Sequence, residues 1–248
     1  MKISVVTASY NAGSTIGDTL RSVAAQSWPD VEHIVIDGAS KDDTAAIVAA
    51  HQRPGGIYVN EPDRGIYDAM NKGLARATGD VIGLLNADDF YADDGALEKV
   101  AHAFDQHKCD AVLGDVGFVR DGAHDRVIRR YDSGMFRPSR IAWGWMPAHP
   151  AMFLTREAYE RVGNYRTDYR IASDFEFVVR AFAKAGISYV HLPEMLVRMR
   201  IGGVSTGGLK AKLTINRECL RACRENGIYS NSLMIASKYP MKLAGLLR

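Results

Sequence analysis

The sequence predicts an α/β protein with a Rossmann-like, mostly parallel central sheet flanked by helices and a helical appendix at the C-terminus. Three observations carry this. Short apolar runs alternate with amphipathic segments through the first half of the chain, the pattern of βαβ units. Polar clusters rich in Asp, Asn, Ser and Gly close the predicted strands at their carboxyl ends, where open α/β sheets bind ligands. The composition, 47% hydrophobic and 24% charged over 248 residues, is that of a globular chain long enough to bury a sizeable core.

The elements follow in order. Residues 3–7 form a strand, and 16–27 a helix with Ile16, Leu20, Val23 and Ala24 on one face and Ser14 or Thr15 as cap. Residues 32–37 and 57–60 are strands around a helix at 44–51. A helix at 67–77, broken by Thr78-Gly79, leads to the apolar strand 81–85 and a helix at 95–106. After residues 111–114 the pattern changes. Residues 116–120 and 127–131 flank Asp121-Gly122-Ala123-His124 as a hairpin, and 135–150 is irregular and rich in Trp, Pro and Gly. Strand 151–154, helices at 156–162 and 173–185, and strands at 187–192 and 196–199 complete the body. The chain thus divides into an α/β half (1–115), a mixed half of the same domain (116–206) and a basic helical appendix (207–248).

The net charge of +2 is unevenly spread. From Gly207 onward Lys210, Lys212, Arg217, Arg221, Arg224, Lys238, Lys242 and Arg248 outnumber Glu218 and Glu225, so this stretch carries +6 and the rest −4. Such a tail suits an anionic surface. Cys109, Cys219 and Cys223 have no metal or redox spacing and point to a reducing compartment. Met1-Lys2 leads straight into a strand, and no apolar stretch approaches a membrane span, so the expected location is cytoplasmic.

The most informative cluster is Asn86-Ala87-Asp88-Asp89, which ends the run Val81-Ile82-Gly83-Leu84-Leu85. Adjacent acids at a buried strand end repel each other, and a hard divalent cation carrying phosphate oxygens would offset that charge. A solvated turn also uses Asn and Asp. Three further clusters converge on the same edge: Thr7-Ala8-Ser9-Tyr10-Asn11-Ala12-Gly13, Asp37-Gly38-Ala39-Ser40-Lys41-Asp42-Asp43 and Asn60-Glu61-Pro62-Asp63-Arg64-Gly65. Neither the GxGxxG fingerprint nor a P-loop is present, so phosphates would be held by metal and by side chains such as Arg64 and Lys72, which otherwise are solvated surface charges.

On these stretches, together with Asp63-Arg64-Gly65-Ile66-Tyr67-Asp68-Ala69-Met70-Asn71-Lys72-Gly73, Thr78-Gly79-Asp80 and Ala172-Ser173-Asp174-Phe175-Glu176, the sequence resembles the family-2 glycosyltransferases of GT-A fold, from about residue 1 to 205. The stretch 63–73 looks most like bacterial enzymes that build exopolysaccharides or capsules. The resemblance implies that Thr7, Ser9 and Tyr10 line the nucleoside, that Asp37 accepts a hydrogen bond from a base N–H, that Asp88 lies near ribose or sugar, and that Asp89 binds Mn²⁺ or Mg²⁺. Arg64, Asn71 and Lys72 join the donor site. Asn86 departs from the family, which often carries Asp there.

Sugar transfer from a nucleoside diphosphate needs a neutralised leaving group, an oxocarbenium-like centre and a base for the acceptor hydroxyl. The resemblance favours Asp174, at the start of the helix 173–185, as that base, with Glu176 as rival; residues two apart on a helix cannot face one way. Capping of the helix would also explain Asp174. With no second carboxylate as nucleophile, the reaction would invert the anomeric centre. Trp143, Trp145 and His149 suit an acceptor site or a hydrophobic plug. Arg200 and Gly202-Gly203-Val204-Ser205-Thr206 suit a lid.

The expected partners are a nucleoside-diphosphate sugar, with UDP favoured, and a glycan or polyprenyl-linked acceptor. The tail would either lie on an anionic membrane face or pack on the body. Nucleic acid is not expected. Competing readings are a nucleotidyltransferase, which would want Lys or Arg in Thr7–Gly13, and a non-catalytic nucleotide-sugar-binding module.

Overall fold

The structure is a computed structural model, and it describes residues 1–202 and 208–244, the side chains of 209 and 239–244 excepted. Their strands join in one nine-stranded mixed sheet. Its parallel part is β1 (Ile3–Ser9), β2 (Val31–Asp37), β3 (Ile57–Asn60) and β4 (Val81–Leu84), in the order β3-β2-β1-β4. Helices α1 (Ile16–Ala24), α2 (Thr44–His51) and α3 (Ile66–Leu74) connect them. Strand β1 is buried at every residue, as a central parallel strand covered on both faces must be.

The second half weaves into the same sheet. β8 (Met152–Thr155) is antiparallel to both β4 and β6 (Ala111–Arg120), so it separates two strands that run the same way. β9 (Tyr189–Arg200) runs parallel to β6, and β5 (Asp89–Tyr91) and β7 (Ala123–Tyr131) pair antiparallel with β9 and β6. The sheet is therefore less parallel than the sequence pattern suggested. β6 runs on through 114–116, where two strands were expected, and β9 is likewise continuous through Pro193; register shifts near Asp115 absorb the irregularity. Strand β5 was not expected, since three residues after an acidic turn carry no periodicity.

Helices α4 (Ala96–His107), α5 (Arg156–Val162) and α6 (Ser173–Val178) cover the sheet, with α6 continuing through a π-turn at Val179–Lys184. Two glycines set close approaches. A Cβ on Gly73 would lie 2.2 Å from Val6 Cγ1, so α3 sits directly on β1. A Cβ on Gly83 would lie 2.4 Å from Phe153, so β4 and β8 share one aromatic ring.

Helices α7 (Gly208–Glu225) and α8 (Ser232–Ala244) pack on the body rather than standing apart. Cys219, Ala222, Cys223 and Ile235 join Val6, Ile34, Tyr67, Tyr165 and Phe175 in one core. Glu218 accepts hydrogen bonds from the main-chain N–H groups of Arg170, Ile171 and Ala172, which fixes α7 against the start of α6. The expectations for residues 203–206 and 245–248, and for the side chains of 239–244, lie outside the described residues.

Candidate functional site

The pairing register builds the cleft. Ser9, Asp37 and Asn60 are partners in one row across β1, β2 and β3. Beyond that row the backbone turns sharply: Asn11 and Ala39 have φ of +47° and +60°. Such left-handed non-glycine residues are costly and concentrate at functional sites. They are held by reciprocal contacts, Asn11 N to Ser40 Oγ at 2.7 Å and Lys41 N to Asn11 Oδ1 at 2.9 Å. Tyr10 stands 66% exposed above this turn.

Several expected donor residues are committed elsewhere. Thr7 lies inside β1 with no exposure, its hydroxyl 3.0 Å from His33 Nε2. Asp37 is also fully buried, and its carboxylate accepts from the Tyr58 hydroxyl at 2.9 Å and from Ser40 Oγ. Asn71 is used at both ends of its amide, donating to Tyr165 O at 2.7 Å and accepting from Tyr165 N at 2.8 Å, so it clamps α3 to the loop before α6. Lys72 donates to Pro62 O and pairs with Glu61 at 3.1 Å. Arg64 is 79% exposed and pairs with Asp68.

The turn after β4 carries the acids. Asp89 is fully buried, and both of its carboxylate oxygens lack a hydrogen-bond partner. Burial pushes its carboxyl well above the usual range, and the neighbouring Asp88 pushes it further; Asn86 and Arg200 act the other way. Asp88 is half-buried, and burial raises its carboxyl too. An orphaned buried carboxylate either holds its proton or meets a cation, so this pair fits a divalent ion.

Arg200, 6% exposed, sits beneath the turn instead of swinging over it. Its Nη1 donates to Asp88 O at 2.8 Å, Nη2 pairs with Asp18 of α1 and lies 3.2 Å from His124 Nε2, and the guanidinium stacks 5.2 Å from the Phe90 ring. Of the expected lid loop 202–206 only Gly202 is described, with φ +133°.

A second set of ligand atoms lies at Asp115, Asp132 and His191, all within 4.8 Å of one another. There Asp115 already accepts from Arg130 Nε and Nη2, from Ser133 N and from His191 Nε2. The Arg130 guanidinium thus already neutralises one oxygen of Asp115, and the group ties β6, β7 and β9 together.

Asp174 opens α6, half-buried. Burial pushes its carboxyl up to about 6, although it accepts from Phe175 N at 2.7 Å; Glu218 raises it further and Lys238 opposes. Tyr67, Tyr131 and Tyr165 are close enough to feel its charge. Glu176 faces the other way, fully buried and paired with Arg180 at 2.9 Å, so it is no rival as base. His149 is buried against the Tyr165 hydroxyl at 2.9 Å, with burial lowering its imidazole to about 4. Trp145 is half-buried and Trp143 is 45% exposed. Asp18, His124 and Tyr58 carried no sequence signal, because each acts through a partner remote in the chain.

The chain matches the profile of glycosyl transferase family 2 over residues 4–163. It belongs to that family. An uncharacterised glycosyltransferase of Mycobacterium tuberculosis is 33% identical over 187 residues, covering 72% of this chain and 68% of that protein. The PGL/p-HBAD biosynthesis glycosyltransferase of the same organism is 30% identical over 198 residues, covering 76% and 73%.

Solved family-2 transferases share the GT-A fold. Staphylococcus aureus TarS 1–349, in complex with UDP-GlcNAc, superposes with a TM-score of 0.68 at 20% identity, over 89% of this chain and 67% of that one. The Pyrobaculum calidifontis mannosyltransferase PcManGT, in complex with GDP-Man and Mn²⁺, gives 0.64 at 21% identity, over 90% and 63%. This family-2 chain spans 40% of a longer TarS chain.

Proposed function

We propose that this glycosyltransferase moves a sugar from a nucleoside diphosphate, with UDP as the carrier, to a glycan or polyprenyl-linked acceptor in cell-surface polysaccharide synthesis, with inversion at the anomeric carbon. The observation that carries this is a division of labour between carboxyl groups. Asp89, buried without a hydrogen-bond partner for its carboxylate, stands beside Asp88 at the end of β4, and a separate acid, Asp174, is tuned to about 6 at the start of α6. The likeness to TarS holding UDP-GlcNAc supports the choice of UDP.

Asp88 and Asp89 would hold a divalent cation, Mn²⁺ or Mg²⁺, whose contribution is to neutralise the departing diphosphate. A hydrated cation that also carries phosphate needs an open side. Asp88 keeps an accessible edge and Asp89 has none, so the burial pattern favours Asp88 as the direct ligand and Asp89 behind it, the reverse of the order expected from sequence. Arg200 holds the Asp88 main chain in place.

Asp174, ionised above pH 6, takes the proton of the acceptor hydroxyl. The acceptor oxygen bonds to the anomeric carbon as the bond from that carbon to the diphosphate oxygen breaks, and the electron pair leaves with the nucleoside diphosphate. Glu218, the acid whose charge reaches Asp174, is spent on three main-chain N–H groups, which supports a single displacement with no enzyme nucleophile.

The test is release of UDP from a panel of UDP-sugars with Mn²⁺. The expected result is turnover that EDTA and Asp174→Asn each abolish. Pyrophosphate formation from UTP and a sugar phosphate would favour a nucleotidyltransferase. Binding with no turnover by any acceptor would favour a non-catalytic module.

A further inference from the structure

We propose that Glu218, in the C-terminal appendix, is a positioning residue for Asp174: its carboxylate holds the chain that leads into α6 and so sets where the base stands. This rests on the reading of Asp174 as base above. Helix α6 has Ala172 as its N-cap and so no side-chain cap of its own. A carboxylate from α7 takes over that task. Glu218 Oε1 accepts from Arg170 N at 2.7 Å, and Oε2 accepts from Ile171 N at 2.9 Å and from Ala172 N at 2.8 Å. Three successive main-chain N–H groups make a concavity suited to an anion, and here a side chain from a distant helix fills it.

Asp174 stands two residues beyond the last of these contacts. The Ile171 peptides are gripped from two sides: α7 takes the N–H, and the Tyr67 hydroxyl of α3 donates to the carbonyl. Ser173 Oγ closes the loop by donating to Arg166 O at 2.7 Å. Asp174 accepts from Phe175 N at 2.7 Å, so its carboxyl moves with the first turn of α6. A shift of residues 170–172 therefore carries the base with it. Proton transfer needs the base within about 2.6–3.2 Å of the acceptor hydroxyl, and a misplacement of about 1 Å costs up to about a hundredfold in rate.

Glu218 also reaches Asp174 by charge. The titratable groups that feel or shape the Asp174 carboxylate are Tyr67 of α3, Tyr131 of β7, Tyr165 of the loop before α6, Glu218 and Cys219 of α7, and Lys238 of α8. Of these, Glu218 raises the Asp174 carboxyl and the buried Lys238 lowers it. Both come from the appendix. Reach and charge can be separated by substitution. Glutamine keeps the length and one carbonyl oxygen for Ile171 N and Ala172 N, but loses the charge and turns an amide donor towards Arg170 N. Aspartate keeps the charge but falls one methylene short of the loop.

The experiment is the pH dependence of kcat and of the donor KM, with the UDP-sugar that the panel above selects and Mn²⁺, for the full chain, Glu218→Asp, Glu218→Gln and Asp174→Asn. The wild type should lose kcat below an acid limb near pH 6. Glu218→Asp should lower kcat by about ten- to a hundredfold, with the limb in place and the donor KM within about twofold. Glu218→Gln should lose less, about tenfold at most, and its limb should move to lower pH. A change of packing alone would not split the two variants in this way. Melting temperatures within a few degrees of the wild type exclude misfolding, and if Glu218→Asp fails that check the limb of Glu218→Gln decides alone. An active wild type with kcat kept within about twofold in Glu218→Asp, a limb unmoved in Glu218→Gln, or a donor KM that rises as far as kcat falls overturns the assignment and leaves the transferase reading intact. Turnover that survives Asp174→Asn, or a wild type without turnover, overturns the reading of the base and the assignment with it.

Discussion

Replacing Asp174 by asparagine should make the protein more stable and inactive at once. A carboxyl held near 6, against an ordinary 3.8, is less easily ionised in the fold by about 3 kcal/mol. The sign follows from proton counts. Between pH 4 and 6 the unfolded chain ionises this group and the folded chain does not, so stability falls as pH rises through that window. Above pH 6 the full penalty is present, and below about pH 4 it is absent. Asparagine has the same shape, can still accept from Phe175 N, and carries no charge to desolvate. Because Asp174 keeps some exposure, the gain at pH 8 should be about 1–3 kcal/mol, which for a chain of this size raises the melting temperature by several degrees. Differential scanning calorimetry at pH 4, 6 and 8 measures it, beside UDP-sugar turnover. An equal shift at pH 4 and pH 8, or a variant less stable at pH 8, would refute the reasoning.

Glu32→Gln should act in the opposite sense. Burial alone would raise Glu32, but hydrogen bonds from Ser4, Thr78 and Lys2 hold it at about 2, so the carboxylate stabilises the fold above pH 4.5 and that gain is lost as pH falls towards 2; urea titration at pH 7 should show a loss of about 2–3 kcal/mol. Gly73→Ala puts a methyl 2.2 Å from Val6 Cγ1 and should cost about 1–3 kcal/mol despite the better helix propensity, with Val6→Ala restoring part of it in a double mutant. Arg200→Gln leaves the Asp88–Asp89 pair without its nearby guanidinium and Asp18 with Arg21 alone; a stability loss of about 2–4 kcal/mol and a higher Mn²⁺ requirement for turnover are expected, read by calorimetry and by titration with metal.

The parallel first half was legible because each strand is a short apolar run closed by polar residues, and Asp88-Asp89 stood out at one of those ends. The mixed second half was less so. Nothing in Met152–Thr155 says that it runs antiparallel between β4 and β6, since sheet order is set by packing far from the segment. Thr7 and Asp37 were plausible ligands from position alone, yet both are fully buried, because the strands that carry them are covered by packing remote in the chain. The tail read as a basic amphipathic helix because exposed Lys210, Arg217 and Arg224 alternate with apolar residues; its inner face turned out to complete the core through Cys219, Ala222 and Cys223.

The most direct measurement is calorimetric titration of UDP in the presence and absence of Mn²⁺ for the wild type, Asp88→Ala and Asp174→Asn. UDP affinity should rise at least tenfold with Mn²⁺ in the wild type and in Asp174→Asn, and the metal should make no difference in Asp88→Ala. UDP affinity indifferent to Mn²⁺ in the wild type, or a metal effect that survives Asp88→Ala, would contradict a diphosphate held by a cation at the end of β4.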